Sequence, residues 1–402
     1  MKILHTSDWH LGHRLHDQVQ TQEQGLFLKW LLDTIISEQI DVLLIAGDIF
    51  DTGTPSTLSL KMYYDFLVQL HASNCKHVIV TGGNHDSPGT LNAPKELLET
   101  LDVKVVGKAT EDIADEVFKL TVKGESIVVA AVPYLRDQDI RKAVAGEQFD
   151  DITERYKTAL IQHYTAVAEK SEAINTEGFP MIAMGHLFAV GGTISDSEQN
   201  IYVGNLGHIG AEDFPNCFDY IALGHLHRPQ IVGGNPKVRY AGSPVILSFS
   251  EINQVKKVLI LRTENNKITE VTDREIPRFR EVLRVKGSLV ICEEKLQAVR
   301  SNAYELTPWV EVVLEDEVQN ALGAGEINKM AGTLDLEVLK VTLNSQRTIV
   351  GLEELTANTQ HIKELSPLHV FKMKCEEMEF DLASNKTVLD AFNEALQIAL
   401  DN

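Results

Sequence analysis

Several short aliphatic runs in this chain of 402 residues end in side chains that could bind metal ions. These side chains carry carboxylate, amide or imidazole donors and no thiolate: Asp8, His10, Asp48, Asn84, His85, His186, His225 and His227. Oxygen and nitrogen donors suit Mn²⁺, iron or Zn²⁺ rather than Cu(I) or an iron–sulfur cluster. The residue types therefore predict a metal centre.

The spacing of these residues suggests how they share the ions. Asp8 and His10 are two residues apart, and so are His225 and His227. On an extended backbone, two side chains at that spacing point the same way, so we expect one ion to be held by both pairs. The carboxylate of Asp48 has two oxygens and can bridge two cations.

Each of these elements is a weak signal by itself. An Asp-x-His triplet occurs by chance, and a Gly-Asn-His-Asp run can be a polar turn. Isolated histidines such as His71, His163 and His369 are expected at the surface or in the core rather than at a metal. Five strand ends with metal donors in one domain nevertheless favour a functional site over a structural role.

The aliphatic runs have the length and composition of strands that are buried on both faces. They cover residues 2–5, 41–46, 77–80, 127–132, 181–184 and 220–223. Between the first runs, residues 22–38 and 58–70 carry apolar side chains at helical spacing. Alternating strands and helices predict a layered α/β domain with its site at the carboxyl ends of the strands.

The pattern changes near residue 276, and we predict three domains with the boundaries 1–275, 276–345 and 346–402. A β-hairpin around Asn265 and Asn266 closes the first domain. Residues 282–343 alternate strand, helix, strand, helix and strand, which predicts a small α+β domain. The last segment contains an amphipathic helix at 388–400.

Composition limits the environment and the partners of the chain. Its four cysteines lie far apart without a C-x-x-C pair, which argues against a thiolate metal site and a disulfide framework. Neither a membrane-spanning apolar run nor a signal-peptide core occurs in the sequence, so we expect a soluble cytoplasmic protein. The net charge of −21 would by itself argue against binding to nucleic acid or anionic membranes.

The ordered motifs around the predicted donors resemble those of the calcineurin-like metallophosphoesterases. They are Ser7-Asp8-Trp9-His10, Gly47-Asp48-Ile49-Phe50-Asp51, Gly82-Gly83-Asn84-His85-Asp86, Gly185-His186 and Gly224-His225-Leu226-His227. Further stretches are similar to the branch of nucleases that repair DNA double-strand breaks, in particular to its bacterial members: Ser195-Asp196-Ser197-Glu198, Phe218-Asp219-Tyr220, Tyr240-Ala241-Gly242-Ser243-Pro244 and Phe249-Ser250-Glu251. The resemblance covers nearly the whole chain. It implies a layered β-sandwich flanked by helices, with a small α+β capping domain and a C-terminal segment that binds a partner.

The resemblance also assigns roles residue by residue. One ion would be held by Asp8, His10 and His227, the other by Asn84, His186 and His225, and both would be bridged by Asp48. His85 would be the catalytic histidine that binds no metal, placed beside the scissile phosphate. Asp51 and Asp86 would brace their loops or orient His85. The family typically uses two divalent ions, most often Mn²⁺, to hydrolyse phosphodiesters.

By the same resemblance, the chain would be the nuclease subunit of an ATP-dependent complex that acts in DNA replication, recombination and repair. The complex would contain two copies each of the nuclease and of an ATPase subunit. Its expected activities are 3′→5′ exonuclease cleavage of double-stranded ends and endonuclease cleavage of hairpins and single strands. The segment 346–402 would bind the ATPase, and apolar positions on helices at 58–70 and 94–101 are candidates for a homodimer contact between nuclease domains.

Two other functions are compatible with these motifs. A phosphomonoesterase or nucleotide phosphodiesterase of the same superfamily would share the metal site but would not need the capping and partner-binding segments. A scaffold without activity would not need every donor intact. Because bound cations add positive charge to the site, the net charge of −21 then predicts weak DNA binding by the isolated subunit and dependence on metal and partner.

Overall fold

The fold is built on parallel strands whose carboxyl ends carry the predicted donors. A computed structural model describes residues 1–140, 149–193, 209–299, 304–315 and 320–343. The predicted elements outside these ranges are the Ser195-Asp196-Ser197-Glu198 motif, the segment 346–402 and its helix at 388–400. Met1–Asn344 form one compact unit, to which all described residues belong. The domain boundaries at residues 275 and 345 stay predictions.

The strands of the described residues are, in chain order, β1 (Lys2–Thr6), β2 (Arg14–Leu15), β3 (Gln18–Val19), β4 (Val42–Ala46), β5 (His77–Thr81), β6 (Val103–Val106), β7 (Val117–Val122), β8 (Glu125–Ala131), β9 (Met181–His186), β10 (Tyr220–Gly224), β11 (Gln230–Val232), β12 (Asn235–Tyr240), β13 (Lys257–Glu264), β14 (Lys267–Glu275), β15 (Arg280–Gly287), β16 (Leu306–Leu314) and β17 (Glu337–Leu343). The α-helices are α1 (Thr21–Glu38), α2 (Thr57–His71), α3 (Pro88–Asn92), α4 (Lys95–Glu99), α5 (Asp137–Ile140), α6 (Phe149–Ile174), α7 (Leu289–Gln297) and α8 (Asn320–Ala331). None of these described helices is both long and apolar enough to cross a membrane.

Two six-stranded sheets face each other. The first has the strand order β14-β13-β1-β4-β5-β6, and the second has the order β11-β12-β10-β9-β8-β7. Strands β1, β4, β5 and β6 run parallel in the first sheet, as do β8, β9, β10 and β12 in the second. Apolar side chains from both sheets fill the space between them, including Leu44 and Ile79 of the first and Val129 and Ile182 of the second.

Helices cover the outer faces of this sandwich. Phe27 of α1 and Leu67 of α2 pack in the core on the first sheet, and Leu160 and Tyr164 of α6 pack in the core on the second. Helices α1 and α2 begin and end within one residue of the helices predicted at 22–38 and 58–70. The layering of helix, sheet, sheet and helix confirms the predicted β-sandwich flanked by helices.

The hairpin expected around Asn265 and Asn266 joins β13 and β14 at the edge of the first sheet. Both asparagines have positive φ angles, 52° and 57°. A two-residue turn of type I′ requires this backbone, and asparagine tolerates it because its short side chain can bond locally. The predicted hairpin is therefore confirmed, and the turn chemistry explains its position.

After the hairpin, β15, α7, β16, α8 and β17 follow in the predicted order of strands and helices. The three strands form a separate parallel sheet, because each helix crosses back before the next strand begins. This βαβαβ unit has its own core, which includes Cys292, Leu296, Val310 and Ile327. The strands and helices predicted for this part of the chain are therefore present.

The βαβαβ unit packs on the sandwich through apolar and charged contacts. Ile246 and Phe249, from the loop before β13, share an apolar cluster with Trp309 of β16. Beside this cluster, the guanidinium of Arg280 forms a buried ion pair with the carboxylate of Glu23 on α1. The same guanidinium lies 3.9 Å from the centre of the Trp309 ring. These contacts fix the βαβαβ unit beside the loop before β13.

Candidate metal centre

The predicted donors lie at the ends of parallel strands from both sheets. In the first sheet, Asp8 follows β1, Asp48 follows β4 and Asn84 follows β5. In the second sheet, His186 is the last residue of β9 and His225 follows β10. Because the sheets face each other, these strand ends meet at one edge of the sandwich, as expected for an α/β site.

A first donor group consists of Asp8, His10 and His227. One donor atom of each residue lies within 4.8 Å of the others, and all three side chains are buried. The Ser7 hydroxyl donates to Oδ2 of Asp8 at 2.5 Å, and the backbone N–H of His225 donates to Oδ1 at 2.8 Å. The rings of His10 and His227 meet edge to face with their centres 5.0 Å apart. The structure thus brings together the three residues expected at one ion.

A second donor group consists of Asn84, His186 and His225. Oδ1 of Asn84 lies 3.0 Å from Nε2 of His186 and 2.9 Å from Nδ1 of His225. The other ring nitrogen of His186, Nδ1, lies 2.9 Å from the carbonyl oxygen of Ala46. Because a carbonyl only accepts hydrogen bonds, Nδ1 carries a proton and Nε2 is the nitrogen that faces the other donors.

Asp48 lies between the two groups. Its Oδ2 is 3.1 Å from Nε2 of His186 and 3.6 Å from Nε2 of His10. Its other oxygen, Oδ1, accepts a hydrogen bond from the backbone N–H of His85 at 2.9 Å. One carboxylate oxygen thus contacts a histidine of each donor group.

The backbone at these strand ends is not extended. β1 ends at Thr6, and the φ angles of Asp8 and His10 are 52° and 45°. The φ angle of His225 is 103°. The extended backbone expected at the two pairs of donors is therefore wrong, and the paired side chains converge because the chain turns sharply after each strand. Such backbone costs a non-glycine residue about 1–3 kcal/mol, which the surrounding packing must offset.

Burial sets the protonation of several donors. It lowers the pKa of His10 to about 4 and the pKa of His225 to about 3, so both imidazoles are neutral at pH 7. The neutral imidazole is the form that binds metal ions. Burial also raises the pKa of Asp8 to about 6.

Asp48 and His186 form a buried ion pair. Burial alone would raise the pKa of Asp48, but the neighbouring His186 outweighs burial and holds this pKa well below its usual range. In return, Asp48 overcomes the effect of burial on His186 and raises its pKa to about 9. A cation that binds to Nε2 of His186 must therefore displace a proton.

One atom of the site shows that the donor set suits a cation. Nε2 of His10 is buried and has no hydrogen-bond partner among the described residues. Leaving a buried polar atom without a partner costs about 1–3 kcal/mol. A divalent cation beside Asp8 and Asp48 would satisfy this nitrogen, and the nitrogen and oxygen donors are those that Mn²⁺ and similar ions accept. The residues therefore fit a divalent metal centre.

His85 lies beside the first donor group. The centre of its ring is 4.9 Å from that of His10, and its Nδ1 donates to the backbone carbonyl of Asp51 over 2.8 Å. His10, Asp51 and His85 also bring one donor atom each within 4.8 Å of one another. The carboxylate of Asp51 is already engaged by Nδ1 of His13 at 2.7 Å and lies 3.2 Å from Nδ1 of His10. Asp51 thus contacts three histidines at the mouth of the site.

The carboxylate of Asp86 holds the loops together from behind. It accepts hydrogen bonds from the backbone N–H groups of Ile49 and Phe50, which follow β4, and of Gly83, which follows β5. These bonds are 2.9 to 3.1 Å long. Asp86 therefore ties the Asp48 loop to the Asn84 loop.

Sequence reasoning missed three residues that support the site. His13 bridges Asp51 and the backbone carbonyl of Leu247 through its two ring nitrogens. Glu251 and Lys256 form a buried ion pair at 2.7 Å, and the Glu251 carboxylate lies 3.6 Å from a ring nitrogen of His227. The Phe249-Ser250-Glu251 stretch served for the resemblance, but nothing in the sequence connects it with a metal donor.

Comparison with known proteins gives matches along the chain. The family model of the calcineurin-like phosphoesterases matches residues 1–229, which include every predicted site residue. A second model, described as the type 5 capsule protein repressor C-terminal domain, matches residues 278–379. The SbcD subunit of the nuclease SbcCD from Escherichia coli K12 is 33% identical over 400 residues, which cover 98% of both chains. The proteins of the same name from Bacillus subtilis and Staphylococcus epidermidis are 34% and 29% identical, and the matches cover 65% and 76% of this chain and 66% and 77% of theirs.

Proposed function

The chain belongs to the calcineurin-like phosphoesterases and to the family of the SbcD subunit of the nuclease SbcCD, and on this premise we propose that its metal centre hydrolyses phosphodiester bonds of DNA. It is a metal-dependent nuclease. The observation that supports the proposed site is the convergence of two groups of buried nitrogen and oxygen donors on the carboxylate of Asp48.

In the proposed site, one ion is held by Asp8, His10 and His227, the other by Asn84, His186 and His225, and Asp48 binds both. The ions are proposed to be Mn²⁺. When bound, two divalent ions activate water and neutralise the negative charge of the phosphate. The chain holds these donors in fixed geometry at a buried strand edge, where electrostatic attraction is stronger than in water.

We assign proton transfer to His85. The Nδ1–H group of His85 is committed to the carbonyl of Asp51, so Nε2 is the ring nitrogen that can exchange a proton with the substrate. This hydrogen bond also fixes the ring beside His10. Nε2 of the protonated ring would give its proton to the leaving 3′ oxygen or stabilise the charge that develops there.

We propose that the nuclease acts in a complex with an SbcC-type ATPase, with two copies of each subunit, on the bacterial nucleoid in the cytoplasm. Its proposed substrates are double-stranded DNA ends, which it would cut in the 3′→5′ direction, hairpins and single-stranded DNA. The relatives are named as a subunit of the SbcCD nuclease, which supports the ATPase partner. Leu58 and Val68 on α2 and Leu97 on α4 are 51%, 61% and 68% exposed, which supports a homodimer contact on these helices.

A cleavage assay on the purified full chain tests this function. We expect Mn²⁺ to permit cleavage of plasmid and hairpin DNA, EDTA to stop it, and Asp48→Ala to abolish it. Asp65→Ala, which removes an exposed carboxylate on α2, is the matched control and should cleave like the wild type. Cleavage of a small phosphomonoester without cleavage of DNA would favour the phosphomonoesterase, and no cleavage of either would favour the scaffold.

The same assay with the ATPase subunit and ATP tests the proposed complex. We expect the partner and ATP together to increase cleavage of double-stranded ends, because the net charge of −21 gives the isolated subunit little attraction for DNA. A rate on duplex ends that is unchanged by the ATPase and ATP would argue against the complex while leaving the nuclease itself intact.

A further inference from the structure

A buried charged pair lies behind the first donor group. The ammonium group of Lys256 donates to Oε2 of Glu251 at 2.7 Å and to the Ser243 hydroxyl at 2.8 Å. The Glu251 side chain is fully buried, and Lys256 is 7% exposed. Neither residue is among the predicted metal donors. We refer to Lys256 and Glu251 as the buried pair.

The buried pair contacts His227 on both its backbone and its ring. The carbonyl of His227 accepts hydrogen bonds from the ammonium of Lys256 at 3.1 Å and from the backbone N–H of Ser243 at 3.1 Å. Oε1 of Glu251 lies 3.6 Å from Nδ1 of the His227 ring. At that distance the carboxylate acts mainly through its charge, which favours a proton on Nδ1 and leaves the lone pair on Nε2.

The carboxylate of Glu251 is itself held in place. Oε2 accepts the backbone N–H of Leu247 at 3.1 Å. The loop that carries Glu251 is anchored by Ile246 and Phe249, which pack against Trp309 of the βαβαβ unit. Glu251 is therefore a fixed charge beside the ring and not a mobile surface carboxylate.

We propose that Glu251 is a positioning residue, which with Lys256 orients the His227 ring and directs Nε2 of His227 to the first metal ion. This inference rests on the proposed function, because it takes His227 as a metal ligand. Lys256 has two parts in it: its charge allows Glu251 to be buried as a carboxylate, and its hydrogen bond fixes the backbone of His227. Carboxylates that orient a metal-binding imidazole in this way raise metal affinity about 10- to 100-fold.

Binding of Mn²⁺ to the metal-free full chain tests the inference without using activity. Glu251→Gln keeps the size of the side chain and removes its charge, and we expect one of the two Mn²⁺ sites to weaken about 10- to 100-fold in a calorimetric titration. Glu116→Gln is the matched control, because Glu116 is also fully buried and lies 2.8 Å from a histidine, His163, in another part of the fold. We expect this control to bind Mn²⁺ like the wild type.

A double-mutant cycle separates positioning from a general structural effect. If Glu251 acts through His227, Glu251→Gln should cost no further affinity once His227→Asn is present. An equal loss with and without His227 would overturn the inference, and so would wild-type Mn²⁺ binding by folded Glu251→Gln.

Glu251→Gln leaves Lys256 buried without a counter-charge and can fail to fold for that reason. The combined variant Glu251→Gln with Lys256→Met removes both charges and is then judged by the same two criteria. A wild-type chain that binds no Mn²⁺ would overturn the proposed function as well, whereas normal wild-type binding with unchanged affinity in the variants would overturn only the role of the buried pair.

Discussion

The packing of Gly83 against Asp48 gives a sharp test of the metal centre. A Cβ atom on Gly83 would lie 2.1 Å from Oδ1 of Asp48 and 2.3 Å from its backbone nitrogen. Ordinary contact begins at 3.4 Å, so the carboxylate oxygen would have to move by about 1.3 Å. Gly83 is not among the glycines with positive φ, so crowding rather than backbone strain would cause the effect.

We expect Gly83→Ala to lower DNA cleavage in Mn²⁺ by about 10²-fold or more, because a misplacement of about 1 Å in an active site can cost that much. Crowding of a packed interior should also lower the free energy of unfolding by about 1–3 kcal/mol. The two quantities are measured by the cleavage rate on plasmid DNA and by urea unfolding of the same preparation.

Gly25→Ala on α1 is the matched control, because a Cβ atom there meets nothing within 4 Å. Alanine in a helix interior should raise the free energy of unfolding by about 0.5–1 kcal/mol and leave cleavage unchanged. Wild-type cleavage by Gly83→Ala would refute the argument, since Asp48 would then not depend on the close approach of the neighbouring loop.

Three further outcomes follow from the structure. His85→Ala should retain its metal ions and lose about 10²–10⁴-fold in cleavage rate, and metal analysis that finds the centre empty would contradict a role in proton transfer. Arg280→Ala leaves the buried Glu23 without its counter-charge and should lower the free energy of unfolding by about 3–5 kcal/mol. Lys61→Ala, which breaks the exposed pair with Asp65, should cost less than about 1 kcal/mol, and equal costs in urea unfolding would refute this difference. Burial lowers the pKa of His5 from 6.5 to about 3, so between these values the unfolded chain binds a proton that the folded chain does not. The wild type should therefore lose about 2 kcal/mol of stability between pH 8 and pH 5 that His5→Gln does not lose, and parallel pH profiles in urea unfolding would contradict this.

The donors could be predicted because each one follows or ends an aliphatic run, and the ends of parallel strands meet at one edge of a sheet. The partition of those strands between two sheets could not be predicted. A run buried on both faces, such as β4 or β9, has the same composition in either sheet. The pair of Glu251 and Lys256 stayed hidden for a related reason, because its contact with His227 depends on where a loop packs rather than on spacing in the sequence.

The backbone of the strand ends explains why the motifs alone do not make the site. The donors with positive φ angles are Asp8, His10, Asp48 and His225. Aspartate and histidine enter this region more readily than most residues, but nothing in their spacing reveals it. The turns are held by bonds between neighbouring loops: the N–H groups of Asp8 and His10 donate to the carbonyls of Gly47 and Asp48, each over 3.0 Å. Each loop therefore keeps its strained shape only when the adjacent strand is paired, so the donors converge as a consequence of the folded sheets and not of the local sequence.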